Sequence, residues 1–133
     1  MTRINAGVPP RELHRLHLIA EYRELPRVPK VLVRALRTAT REDVLARVPA
    51  AFTLGTGHVR FFYDKLLYLQ KRYDSLMSEM YRRGYKVDAS RVAALFDNAD
   101  TAFYKDWKPT RHAAALVRER ITLRISEKPH VYR

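Results

Sequence analysis

Three side chains near the N-terminus carry acid–base or ligand chemistry at helical spacing: His17, Glu21 and Glu24. Steps of four and three place them on one side of a helix. An imidazole and two carboxylates so arranged could serve as an acid/base set, ligate a metal, or neutralise the arginines around them. From spacing alone, local ion pairing ranks first. No HExxH run and no cysteine pair accompanies them, so neither a metal site nor another cofactor is expected. His58 follows Gly55-Thr56-Gly57, where a glycine turn could present a phosphate-binding residue, but an isolated GxGH more often only turns the chain into a helix. The chain has no cysteine, which excludes thiolate catalysis, disulfides and zinc–cysteine sites and suits a reducing cytoplasm.

Cations form a second constellation. Arg23, Arg27, Lys30, Arg34 and Arg37 follow steps of four, three, four and three, giving one unmixed basic stripe. At 1.5 Å per residue it is about 21 Å long, which spans several phosphates of a duplex. A solvated helix face would mix its signs, so phosphate contact is the preferred reading. Arg111, Arg118, Arg120 and Arg124 add a basic surface near the C-terminus. The whole chain has 26 Lys+Arg against 14 Asp+Glu, a net charge of +12, and a pI of about 10.4. That is the footprint of a nucleic-acid binder, and the preference for arginine favours bidentate phosphate contact and stacking.

Helices must position these groups. The 133 residues, 47% hydrophobic and 30% charged, suit one ordered domain over 1–133. No apolar run reaches the length of a membrane span and no apolar leader follows Met1, so a cytoplasmic protein without membrane contact is expected. The predicted fold is all-α, a compact bundle of three main helices with long connecting loops. The first covers about 10–38, with an apolar face from Leu13 to Leu36 and a kink near Pro26, where a backbone donor is lost. The second covers about 57–82, with Val59, Phe62, Leu66, Leu69, Tyr73, Leu76 and Met80 in steps of three and four, and Gly84 as its C-terminal cap. The third starts from Thr110 as N-cap and ends before Pro129. Residues 39–56 and 85–109 read as loops with short helical turns, the second anchored by Phe103, Tyr104 and Trp107.

Longer runs of residues carry a resemblance. Thr2-Arg3-Ile4-Asn5, the run from His17 to Val28 (His-Leu-Ile-Ala-Glu-Tyr-Arg-Glu-Leu-Pro-Arg-Val), and the run from Phe52 to Leu66 resemble the signatures of the pyrimidine-dimer DNA glycosylase family. Lys71-Arg72, Arg83-Gly84, Arg120-Ile121, Arg124-Ile125, Lys128-Pro129 and Tyr132-Arg133 follow in the order and spacing of that family.

The resemblance implies a DNA repair glycosylase that is also an abasic-site lyase, acting as a monomer on double-stranded DNA carrying pyrimidine dimers. It implies that Met1 is removed and that the exposed amine of Thr2 attacks the sugar C1′. It assigns the essential carboxylate to Glu24 and DNA contacts to Arg3, His17, Arg23 and Arg27. By the same match and the basic surfaces above, Lys30, Arg34, Arg120, Arg124 and Tyr132 are expected on DNA. Two departures stand out. Val131 occupies a position where the family's best-known member has a tryptophan, and the aromatic tail is reduced to Tyr132, which bears on dimer affinity and lesion range rather than on chemistry. Pro29 should add a further break to the first helix and displace the Arg34 end of the stripe. The alternatives are the same lyase chemistry on an oxidised purine or an abasic site, and a non-catalytic basic protein that bends DNA.

Overall fold

The computed structural model describes residues 2–133. Met1, and with it the space the initiator methionine would fill, lies outside the described residues. The fold is all-α. A 3-10 turn at Pro10–Glu12 precedes α1 (Arg15–Glu24), α2 (Arg27–Ala35), α3 (Arg41–Ala46), α4 (His58–Phe61), α5 (Leu66–Arg82), α6 (Ser90–Asp97), a second 3-10 turn at Thr101–Phe103, and α7 (Arg111–Glu127). Among the described residues no strand forms. Lys65 and Tyr104 make an isolated antiparallel bridge. Among the described residues no helix is long and apolar enough to cross a membrane.

The long N-terminal helix bends where the sequence predicts. α1 ends at Glu24 and α2 begins at Arg27, with Leu25 and Pro26 still in right-handed helical conformation between them. The bend therefore tightens the chain rather than unwinding it, and the Val28 amide reaches back to the Leu25 carbonyl (3.1 Å). The expected further break at Pro29 does not occur, because α2 runs through it. The reason is its position. Pro29 falls in the first turn of the restarted helix, whose amides have no intrahelical partner, so its missing N–H costs nothing. α2 stops at Ala35, which leaves Arg37 in the following turn.

The expected second helix is two. Phe62 closes α4 and Lys65 opens α5. Phe61, Phe62 and Tyr63 are all buried, and three consecutive residues of one helix fan over about 200°, too wide for a single apolar stripe. Breaking the helix lets all three turn inward, where Phe61 and Phe62 meet Phe52 and Trp107 in an aromatic cluster. α5 then runs unbroken for 17 residues. It ends in a Schellman motif at Gly84 (φ 88°), with the Tyr85 amide on the Met80 carbonyl and the Gly84 amide on the Tyr81 carbonyl. Thr110 caps α7 as expected, its hydroxyl accepting from the Ala113 amide (3.0 Å). The 85–109 region holds more helix than expected, since α6 has eight residues. Phe103 and Trp107 anchor it.

α1 packs along α5, burying Leu18 and Leu25 against Leu69 and Leu76, each worth about 1.5–3 kcal/mol relative to exposure. The extended N-terminal segment lies inside the same core. Ile4 and Ala6 are fully buried. Gly7 (φ 80°) lets it pass α7, because a Cβ there would stand 2.6 Å from the Ala114 Cβ.

Candidate active site

The N-terminal segment is held residue by residue, by side chains from three different helices. The Arg3 amide donates to Glu24 Oε1 (3.1 Å). Glu24 is the last residue of α1, so the bend that begins after it leaves its carboxylate at the helix end, facing the segment. The Ile4 amide donates to His58 Nε2 (2.9 Å). The Asn5 side chain donates to Glu21 Oε1 (3.0 Å) and accepts from Arg120 Nη2 (3.1 Å). Thr2, half-buried, is thereby carried one peptide unit from the Glu24 carboxylate.

Beneath this segment is a buried ion pair. Arg72 of α5 donates through Nε to Glu21 Oε2 and through Nη2 to Glu21 Oε1, both at 2.8 Å, and through Nη1 to the Val8 carbonyl (2.6 Å). The Glu21 side chain has no exposed surface. Burial pulls the Arg72 pKa down, but the Glu21 charge and its hydrogen bonds outweigh that and raise it above the ordinary value, so Arg72 stays charged. Of the three readings open for His17, Glu21 and Glu24, ion pairing therefore holds for Glu21. Its partner is Arg72, fifty-one residues away, rather than a local arginine. Glu24 instead meets a backbone amide. Among the described residues no group of three or more His, Cys, Asp or Glu side chains is arranged to hold a metal.

Above the segment opens a cavity of about 310 Å³, lined by Arg3, Asn5, His17, Glu21, Glu24, Arg120, Arg124 and Tyr132 among others. Three guanidinium groups around it favour an anionic occupant. Burial, then the nearby Arg3, lowers the pKa of Arg120. The same influences act on His17, whose pKa is lowered chiefly by burial and then by His14, Arg120, Arg3 and Arg124, so its ring is neutral. Its Nδ1 is buried without a partner. Tyr132 packs on His17 with ring centroids 4.8 Å apart and the planes tilted by 31°. The tail that carries it is tied down where His14 Nε2 meets the Arg133 carbonyl (3.3 Å).

The structure thus brings together seven of the residues singled out in the sequence: Arg3, His17, Glu21, Glu24, Arg120, Arg124 and Tyr132. It does not bring Arg23, Arg27, Lys30 or Arg34 into the cavity. These four and Arg37 are exposed, and none pairs with a carboxylate among the described residues. They are divided between α1, α2 and the turn after it, so the stripe is bent with the helix rather than straight. Sequence reasoning passed over Asn5, Arg72 and the role of His58. Asn5 and Arg72 lay within the recognised runs, while His58 had only its glycine turn as a signal.

A cationic cavity beside a tethered N-terminus, floored by residues 3–5 and walled by α1, is formed largely by the first part of the chain. A family model described as pyrimidine dimer DNA glycosylase matches residues 1–92, which include the N-terminal segment, the α1–α2 bend, His58 and Arg72. The chain belongs to the pyrimidine dimer DNA glycosylase family.

Proposed function

We propose that this DNA repair glycosylase excises cyclobutane pyrimidine dimers from double-stranded DNA and then cuts the strand as an abasic-site lyase, through the amine that Thr2 exposes once Met1 is removed. The amine attacks C1′, the N-glycosidic bond breaks with its electron pair leaving on the base, and the sugar ring opens to a Schiff base. Loss of a C2′ proton then expels the 3′ phosphate by β-elimination, and water releases the enzyme. An α-amine, with an ordinary pKa of about 7.7–8.0, is far more often neutral at pH 7 than a lysine. The cations that line the cavity, Arg3, Arg120 and Arg124, favour the neutral form further. Glu24 stabilises the cationic sugar and iminium and moves protons during imine formation and elimination.

The observation that carries this reading is the 3.1 Å bond from the Arg3 amide to Glu24 Oε1, next to the nucleophile and inside a cavity ringed by arginines. Arg120, Arg124, His17 and Tyr132 contact the lesion strand there. The exposed stripe of Arg23, Arg27, Lys30 and Arg34 holds phosphates and supports the bend in the duplex.

The test is borohydride trapping on dimer-containing DNA in excess EDTA. A covalent adduct is expected, with its site at Thr2 by peptide mapping. Glu24→Gln keeps the shape and the hydrogen bond but removes the charge, so cleavage should fall by about 10²–10⁴-fold while lesion binding persists. A divalent-metal requirement, or near-normal cleavage by Glu24→Gln, would refute the assignment. Parallel incision of duplexes with an oxidised purine or an abasic site measures lesion range, on which Val131 in place of an aromatic residue bears.

A further inference from the structure

His58 takes no part in the chemistry above, yet it is buried to 3% exposure and makes two hydrogen bonds through its ring. Its Nε2 accepts from the Ile4 amide (2.9 Å). Its Nδ1 lies 2.8 Å from the Thr53 carbonyl. A carbonyl only accepts, so Nδ1 carries the proton, and the ring is neutral in one fixed tautomer. The rings of Phe52 and Phe62 meet it edge-on, with centroids 5.5 and 5.3 Å away, and leave it no freedom to turn.

We propose that His58 is a positioning residue for the N-terminal nucleophile: by holding the Ile4 amide it sets the direction in which residues 2 and 3 leave the core. This rests on the Thr2 amine being the nucleophile. A chain terminus is disordered unless tied down. Asn5 and Val8 are held farther along the segment, and the Arg3–Glu24 bond is the one tether beyond His58 toward the terminus, which alone leaves the first residues free to pivot. A second tether on the next amide, from α4 rather than α1, removes the pivot. The Thr2 nitrogen is two residues from the Ile4 nitrogen, at most about 7 Å along the chain, so a small rotation at Ile4 shifts the amine by a large part of the distance to a reacting carbon.

The neutral ring is essential to this function. Protonation would turn Nε2 into a donor facing the Ile4 N–H, replacing a hydrogen bond by two opposed donors. The surroundings resist that. Burial is the largest influence and lowers the pKa, Arg120 of α7 and Arg3 of the segment lower it further, and the Thr53 carbonyl and Glu21 of α1 act in the opposite sense, leaving it below the ordinary 6.5. The tether is therefore intact above that value and is lost as pH falls through the folded pKa.

Wild type, His58→Ala and His58→Gln can be compared by single-turnover borohydride trapping on a duplex with one abasic site, from about pH 5 to about pH 8, with Kd measured separately. His58→Ala should slow trapping by about 100-fold with Kd little changed. The amide oxygen of His58→Gln can accept from Ile4 where Nε2 does, and should recover the rate to within about 10-fold. Glutamine does not titrate, so the wild-type to His58→Gln rate ratio should fall as pH is lowered through the folded pKa of His58, while ionisations common to both proteins cancel in it. Equal slowing in both variants with a constant ratio assigns His58 to packing and overturns the proposal, as does a wild-type rate in His58→Ala. If His58→Ala fails to melt cooperatively, the ratio alone decides. Peptide mapping keeps the two readings apart. An adduct on a lysine of the wild type refutes the Thr2 nucleophile, whereas an adduct on Thr2 with a constant ratio refutes only the role of His58.

Discussion

Arg72→Met tests whether the site stands on its buried ion pair. Methionine keeps most of the length and apolar contact of the arginine stem but none of its donors. The substitution removes both 2.8 Å bonds to Glu21 and the 2.6 Å bond to the Val8 carbonyl. Glu21, with no exposed side-chain surface, keeps only the Asn5 amide as a partner. Removing one member of such a pair costs about 3–5 kcal/mol, because the remaining charge is stranded in a poorly solvating interior. A domain of this size has a total stability of about 5–15 kcal/mol, so the loss is a large share of it. At roughly 3–5 °C per kcal/mol the melting temperature should fall by about 10–25 °C.

Urea unfolding followed by circular dichroism measures the change, and an unchanged m-value shows that the same surface is exposed on unfolding. Adding Glu21→Leu to Arg72→Met removes the stranded charge and should restore most of the stability. The double variant should nevertheless stay impaired in trapping, since Asn5 loses its anchor and Arg120, bonded to Asn5 Oδ1 (3.1 Å), loses its reference point. A single-variant loss below about 1 kcal/mol would mean that water reaches Glu21 and would refute the desolvated pair. Full activity in the double variant would refute the link from the pair to the site.

Replacing Arg27 or Arg34 by Gln should weaken binding to all duplexes and flatten the dependence of log K on log salt by about 0.9 per lost phosphate contact; an unchanged slope would return these arginines to a solvated face. Tyr132→Ala removes the ring packed on His17 and should cost about 1–3 kcal/mol of discrimination between dimer and undamaged DNA, with a smaller loss on an abasic site. Equal losses on both substrates would mark Tyr132 as a packing residue. Glu79, bonded to Arg82 and Arg83, has its pKa lowered from 4.5 to about 2. Its contribution is complete above the unfolded value and is lost as pH falls toward about 2, so Glu79→Gln should flatten the acid limb of stability between those values.

The fold was legible where one periodicity governs one element. α7 runs from its Thr110 cap as the pattern requires, and the proline bend appears between Glu24 and Arg27. Legibility ended where two demands met on the same residues. Steps of three and four continue through Phe62 and Leu66 as though one helix passed there, but Phe61 and Tyr63 are buried as well. Burying three successive aromatics overrode the periodicity, and nothing in a single stripe records the partners, Phe52 and Trp107, that draw them inward. Pro29 is the converse case. Proline carries a helix-breaking tendency, but whether it acts depends on its place in the turn, which the bend at Pro26 had already reset.

The site divides along the same line. Residues whose role depends on their own charge were found: Arg3, Glu24, Arg120 and Arg124 stand out by type and reach the cavity. Residues whose role is to hold others were not, because that role exists only across the fold. Glu21 has the same charge as Glu24 and lies three residues away on the same helix side. What separates them is Arg72, which arrives from α5 to claim one and leaves the other to the N-terminal amide. His58 is fifty-four residues from the amide it holds. On the proposed mechanism the terminus itself is the reagent and has no local scaffold on one side, so its tethers must come from distant elements. That need explains why α1, α4, α5 and α7 all converge on residues 3–8, by bonds from Glu24, His58, Arg72 and Arg120, and why the tethers are polar. An extended segment buried in a helical core has no ladder to satisfy its amides and carbonyls, and each one left unpaired would cost about 1–3 kcal/mol. The bonds that prevent this penalty are the same bonds that fix residues 3–8 beside the cavity.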